Sequence, residues 1–116
     1  MSDAYSSLEE FWPYYVSEHL NPVNRTLHFA GTSLGIVSAI FALVFFSPAF
    51  LAAALFFGYG FAWIGHFGFE RNRPATFEYP LMSLRADFRM YGLIARGEMD
   101  AEIRRLRPEL TRLRRG

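Results

Sequence analysis

The only imidazoles in this chain are His19, His28 and His66, and there is no cysteine, so a transition metal must be held by His, Asp, Glu or Asn. Asn24, His28 and Thr32 recur at i, i+4 and i+8, and His66 and Glu70 stand four apart. On helices, each spacing puts an imidazole beside an oxygen-bearing neighbour on one face. Two histidines with a carboxylate, or three histidines, with open positions suit iron(II) and O2 chemistry; zinc fits the same ligands. Taken singly, His28 and His66 read as interfacial residues satisfied by backbone, and His19 as a capping or loop residue. Taken together, ionisable groups clustered at the edge of an apolar bundle point to function.

The elements that must position them follow from charge. The chain has 116 residues, enough for one domain, with 12 basic and 11 acidic side chains and a net charge of +1. That balance argues against a nucleic-acid binder that relies on bulk positive charge. The 44 positions between Arg25 and Glu70 contain no Asp, Glu, Lys or Arg. A soluble helix of a small domain normally carries charge on its water-facing stripe, so this stretch reads as membrane-embedded. Ser47-Pro48 divides it, because proline removes a donor and biases the preceding residue away from the helical region. The result is a hairpin over about residues 26–69, with Phe29–Phe46 and Ala49–His66 as its apolar segments. The polar, acidic stretch before it fits a cleavable signal peptide poorly. Small residues such as Gly31, Gly35, Gly58 and Gly60 allow the two helices to approach closely.

Arg25 precedes the hairpin and Arg71 and Arg73 follow it, so both ends, and with them both termini, are expected to be cytoplasmic. For a bacterial chain the membrane is then the inner one. This topology carries all three histidines to one membrane face. Asn21-Pro22 reads as an N-cap followed by proline at the first helical position, which starts the first membrane helix well before Phe29. Upstream, Leu8, Phe11, Trp12, Tyr15 and Val16 form an aromatic amphipathic segment suited to a headgroup layer and disturbed by Pro13. Downstream, Pro80 opens an interfacial helix with an apolar stripe through Leu81, Leu84 and Phe88. The tail, about residues 98–116, sets Ile103, Leu106, Leu110 and Leu113 among six arginines and is broken or restarted at Pro108. It either docks on its own domain or meets anionic lipid or a partner helix, with lipid favoured. The fold class is therefore all-α, a membrane helical hairpin with flanking amphipathic helices, in one membrane-embedded domain.

Two stretches carry a resemblance. Tyr15–Thr32 reads YVSEHLNPVNRTLHFAGT, and Trp63–Tyr91 reads WIGHFGFERNRPATFEYPLMSLRADFRMY. With the apolar hairpin between them they resemble the membrane-bound 2-hydroxy fatty acid dioxygenase family of phytosphingosine degradation, over roughly Tyr14 to Gly97. The resemblance implies an Fe(II)-dependent α-oxidation in which a 2-hydroxy fatty acid and O2 give the fatty acid one carbon shorter. It implies His19, His28 and His66 as metal ligands, and it covers Glu70, Asn24 and Asn72, which either ligate or orient. Longer members carry more apolar segments, whereas this chain has one hairpin and resembles the short bacterial type. Arg25 and Arg73 are the nearest candidates to pair with a substrate carboxylate, and both read equally well as topology and headgroup contacts. The partners expected are a lipid or fatty-acid substrate, O2 and the membrane, with no nucleic acid; a homo-oligomer is compatible with the pattern. The competing class is a non-enzymatic lipid-binding or scaffold subunit.

Overall fold

The computed structural model describes residues 5–115, and among them it is all-helical without a strand. The elements are α1 (Leu8–Ser17), α2 (Pro22–Phe45), α3 (Pro48–Glu70), a 3-10 turn (Ala75–Phe77), α4 (Pro80–Ala95) and α5 (Met99–Arg115). They form two compact units: a hairpin unit, Asn21–Arg71, and a unit built from both flanks of the chain.

In the hairpin unit the expected punctuation holds. Asn21 caps α2, its side chain accepting from the Val23 N–H at 2.8 Å, with Pro22 at the first helical position. At the tip Phe46 adopts a left-handed conformation, φ 49°, and ends α2; Ser47 then caps α3 by accepting from the Phe50 N–H, with Pro48 next. The helices run antiparallel. Phe41 meets Phe50 near the tip at 5.3 Å between ring centroids, and at the other end Glu70 reaches the backbone of Asn21. Close approach requires glycine at two places. A Cβ on Gly31 would lie 2.5 Å from the Phe57 carbonyl oxygen, and one on Gly65 would lie 1.9 Å from Asn24 Oδ1.

Both helices, of 24 and 23 residues, are long and apolar enough to cross a membrane. At 1.5 Å per residue each extends about 35 Å, more than the roughly 30 Å of a hydrocarbon core. Their outer faces are not covered by protein: Leu43 is 77% exposed, Phe46 91% and Phe56 65%. Little of either helix is buried, unlike the core helix of a soluble fold. The regularity of α3 is interrupted by two π-helical stretches, Phe56–Gly60 and Ile64–Glu70.

The flank unit packs α1 against α4 and α5. The aromatic stripe of α1 is its core, since Phe11, Trp12, Tyr15 and Val16 are all buried there. This side of α1 faces its own unit and not a headgroup layer. Trp12 Nε1 donates to Glu102 Oε2 at 2.7 Å, and Arg89 lies over the Trp12 ring while pairing with Glu9. Pro13 is accommodated inside α1. The same holds for Pro108: α5 runs through it unbroken, where the sequence suggested a break. Met99, Leu106 and Leu110 of α5 are buried in this core, so the tail docks on its own unit and leaves Arg104, Arg105, Arg107 and Arg112 outside. In α4 the buried face is Ser83, Ala86 and Met90, whereas Leu81, Leu84 and Phe88 remain exposed.

Candidate metal centre

His28 lies two turns into α2 on the face turned to α3, and it is buried. His66 approaches it edge to face, the ring centroids 5.0 Å apart and the planes at 88°. His66 is buried as well and sits inside the π-helical stretch Ile64–Glu70. Such stretches are rare in helices and concentrate at functional sites, because the wider turn re-aims the side chains that follow it.

One turn outward, the oxygen-bearing neighbours meet each other. Glu70 Oε1 accepts the Asn21 N–H at 2.6 Å and the Asn24 Nδ2 at 3.4 Å. Asn21 Nδ2 in turn donates to the Phe69 carbonyl at 3.3 Å. The carboxylate therefore satisfies an orphan donor at the start of α2 and favours the positive end of that helix. Asn24 is wholly buried, and its Oδ1, which has no hydrogen-bond partner among the described residues, fills the space left by the missing side chain of Gly65. Glu70 and Asn24 thus lock the open end of the hairpin beside the two imidazoles.

In the flank unit His19 follows the end of α1 and is 1% exposed. Its Nδ1 lies 2.7 Å from the Tyr15 carbonyl oxygen, and its ring stacks on the Tyr15 ring at 4.0 Å. A carbonyl only accepts, so Nδ1 carries the proton and Nε2 carries the lone pair. The Tyr15 hydroxyl donates to Asp87 of α4. Asn72 Nδ2 donates to the Glu18 carbonyl at 3.1 Å, which ties the segment after the hairpin to the turn that bears His19. Burial pushes the Asp87 carboxyl up to about 7 and the Tyr15 hydroxyl well above its usual range, the latter with help from the Asp87 charge.

Of the two arginine candidates, Arg25 is half-buried in the first turn of α2. Arg73 is exposed, its guanidinium 5.6 Å from the Phe77 ring centroid. It lines a cleft of about 310 Å³ with Tyr14, Glu18, Asn72 and Glu78 in the flank unit.

The donor chemistry fits a metal. All three histidines are buried, His28 and His66 side by side in the hairpin unit and His19 in the flank unit, and each can offer a metal one ring nitrogen. Three neutral imidazoles suit a first-row divalent ion such as iron or zinc. The family model of the 2-hydroxy-palmitic acid dioxygenase Mpo1-like proteins matches residues 5–99. The chain belongs to this family. No curated protein and no solved structure matches it. The Mpo1-like match spans every candidate above, from His19 to Arg73, and stops at the first residue of α5, so nearly all of the Arg-rich helix lies outside it.

Tyr15 and Asp87 are the residues that sequence reasoning passed over. Tyr15 carried only an aromatic-stripe signal, and Asp87, 72 positions later, carried none. An aspartate among the exposed and core positions of an amphipathic helix has no local pattern that marks it.

Proposed function

We propose that the chain is an Fe(II)-dependent dioxygenase that shortens 2-hydroxy fatty acids by one carbon, with His19, His28 and His66 as the iron ligands. The observation that carries this reading is the burial of all three histidines within a match to a family named for a 2-hydroxy-palmitic acid dioxygenase. The overall change balances without another reductant: R–CH(OH)–COOH plus O2 gives R–COOH, CO2 and H2O. The C1–C2 bond breaks, the two carbons lose four electrons, and O2 takes up four. Held by these histidines, iron would supply the activation of O2 and Lewis acidity toward the substrate.

The rest of the work falls to the chain. His28 and His66 are held as a pair by the hairpin, and Glu70 and Asn24 keep that pair in register by fixing the start of α2 to the end of α3. Arg25 or Arg73 pairs with the substrate carboxylate through its planar fork. The acyl chain lies along the uncovered apolar surface of the hairpin, which keeps water from the reacting carbons. The hairpin spans the membrane with both termini cytoplasmic, because Arg25, Arg71 and Arg73 flank the same end.

The test is anaerobic purification in detergent with Fe(II), metal analysis, then addition of O2 and 2-hydroxy fatty acids with mass spectrometry of the lipids. About one iron per chain and a product one carbon shorter are expected, both lost in His28→Ala and His66→Ala. A folded wild-type chain with no stoichiometric metal and no turnover would overturn the reading in favour of a non-enzymatic lipid-binding subunit.

A further inference from the structure

Within the flank unit, three rings stack in sequence along α1 and just past its end. Trp12 lies on Tyr15 at 5.5 Å and 13°, and Tyr15 lies on His19 at 4.0 Å and 20°. The spacing 12, 15, 19 is that of one helix face, and all three residues are buried. The far end of the stack is fixed by Trp12 Nε1 on Glu102 of α5. Its middle is fixed by the Tyr15 hydroxyl on Asp87 of α4. At the near end, His19 is held by its ring face on Tyr15 and by its Nδ1 proton on the carbonyl of that same residue. Tyr15 therefore constrains His19 twice, and Asp87 constrains Tyr15.

We propose that Asp87 is a positioning residue: acting through Tyr15, it holds His19 with its proton on Nδ1 and so leaves Nε2 as the atom presented to a metal. The role rests on reading His19 as a ligand; the tautomer does not. If the Tyr15 ring swings, the backbone carbonyl stays in place but the stacking that keeps the imidazole plane against it is lost, and the imidazole gains rotational and tautomeric freedom that ligation must then remove. Partners that orient a ligating histidine are typically worth ten- to a hundredfold in metal affinity.

The experiment uses the full chain in detergent micelles, with imidazole nitrogen NMR of the metal-free protein and Co(II) titration as two separate readouts; the His19 signals are assigned by their loss in His19→Ala. In wild type, His19 is expected to show a protonated Nδ1 and an unprotonated Nε2. Tyr15→Phe removes one oxygen, and Asp87→Ala removes the acceptor. Each should move the two nitrogen signals toward an exchange average and weaken Co(II) binding about tenfold or more. Asp87→Asn keeps an acceptor oxygen and should restore both readouts to near wild type. If Asp87→Ala loses its helical circular dichroism, the comparison of Tyr15→Phe with Asp87→Asn decides. A wild-type His19 protonated on Nε2, or a Tyr15→Phe protein with wild-type nitrogen signals and Co(II) affinity, overturns the proposal. A wild-type chain that binds no Co(II) overturns the metal reading itself, while the nitrogen spectrum still decides whether Asp87 and Tyr15 set the tautomer.

Discussion

Asp87 makes the stability of its unit depend on pH in the direction opposite to that of a salt-bridged carboxylate. Burial raises it from 3.8 to about 7, so between those values the folded chain holds a proton that the unfolded chain has released. Stability should therefore fall as pH rises through this window and level off above about 7. Between pH 5 and pH 8 the loss is on the order of 2 kcal/mol, and Asp87→Asn should flatten it, as thermal unfolding in detergent at the two pH values will show. A second single-residue consequence sits at Gly65. Gly65→Ala would drive a methyl into Asn24 Oδ1, and overpacking of this kind costs about 1–3 kcal/mol. Because Asn24 must move, its contact with Glu70 is lost too, so the variant should bind metal more weakly as well as unfold earlier. That Asn24 lies one turn from His28, and Glu70 one turn from His66, was legible from four-residue spacing; that the two oxygen-bearing side chains meet each other was not. The pairing of Tyr15 with Asp87 was not, because contacts across most of a chain leave no periodicity in either segment.

At the scale of elements, the sequence is clearest where proline and a capping side chain coincide. Asn21-Pro22 and Ser47-Pro48 each start a helix where the spacing predicts, and Pro80 starts one without a side-chain cap. Asn21 does more than cap, since its side-chain Nδ2 also donates to the Phe69 carbonyl, a bond that alanine loses while keeping the backbone N–H on Glu70. Asn21→Ala should accordingly cost more than the roughly 1 kcal/mol of an ordinary cap, measured by unfolding in mixed micelles. The π-helical stretches were illegible, because a shift in hydrogen-bond register changes no residue type in a run that is apolar on every side. Amphipathic stripes were also ambiguous as to partner. α1 and α5 bury their stripes in a shared core, whereas α4 leaves Leu81, Leu84 and Phe88 outside, and nothing in the three periodicities separates these outcomes.

For the whole molecule, two helices of spanning length with bare apolar outer faces lead to a simple expectation. The protein should fractionate with membranes and require detergent, and a detergent-free soluble monomer would contradict it. Reporters fused to either terminus should read cytoplasmic. The way the flank unit is assembled bears on the order of events during synthesis. Its core joins residues up to Leu20 with residues from Asn72 onward, so Phe11, Trp12 and Tyr15 emerge from the ribosome long before their partners Asp87, Met90 and Leu106 exist. The hairpin is local and can close first. Once Glu70 takes the Asn21 N–H, the 51-residue excursion from Asn21 to Arg71 is reduced to a short covalent detour. At about 0.6 kcal/mol for each halving of a loop, that closure removes roughly 2 kcal/mol of the entropy that would otherwise oppose docking α1 on α4. The hairpin is thus a folding clasp for the rest of the chain: Glu70→Ala should slow formation of the Trp12 and Tyr15 core in refolding experiments, even though neither ring touches the clasp's own bond.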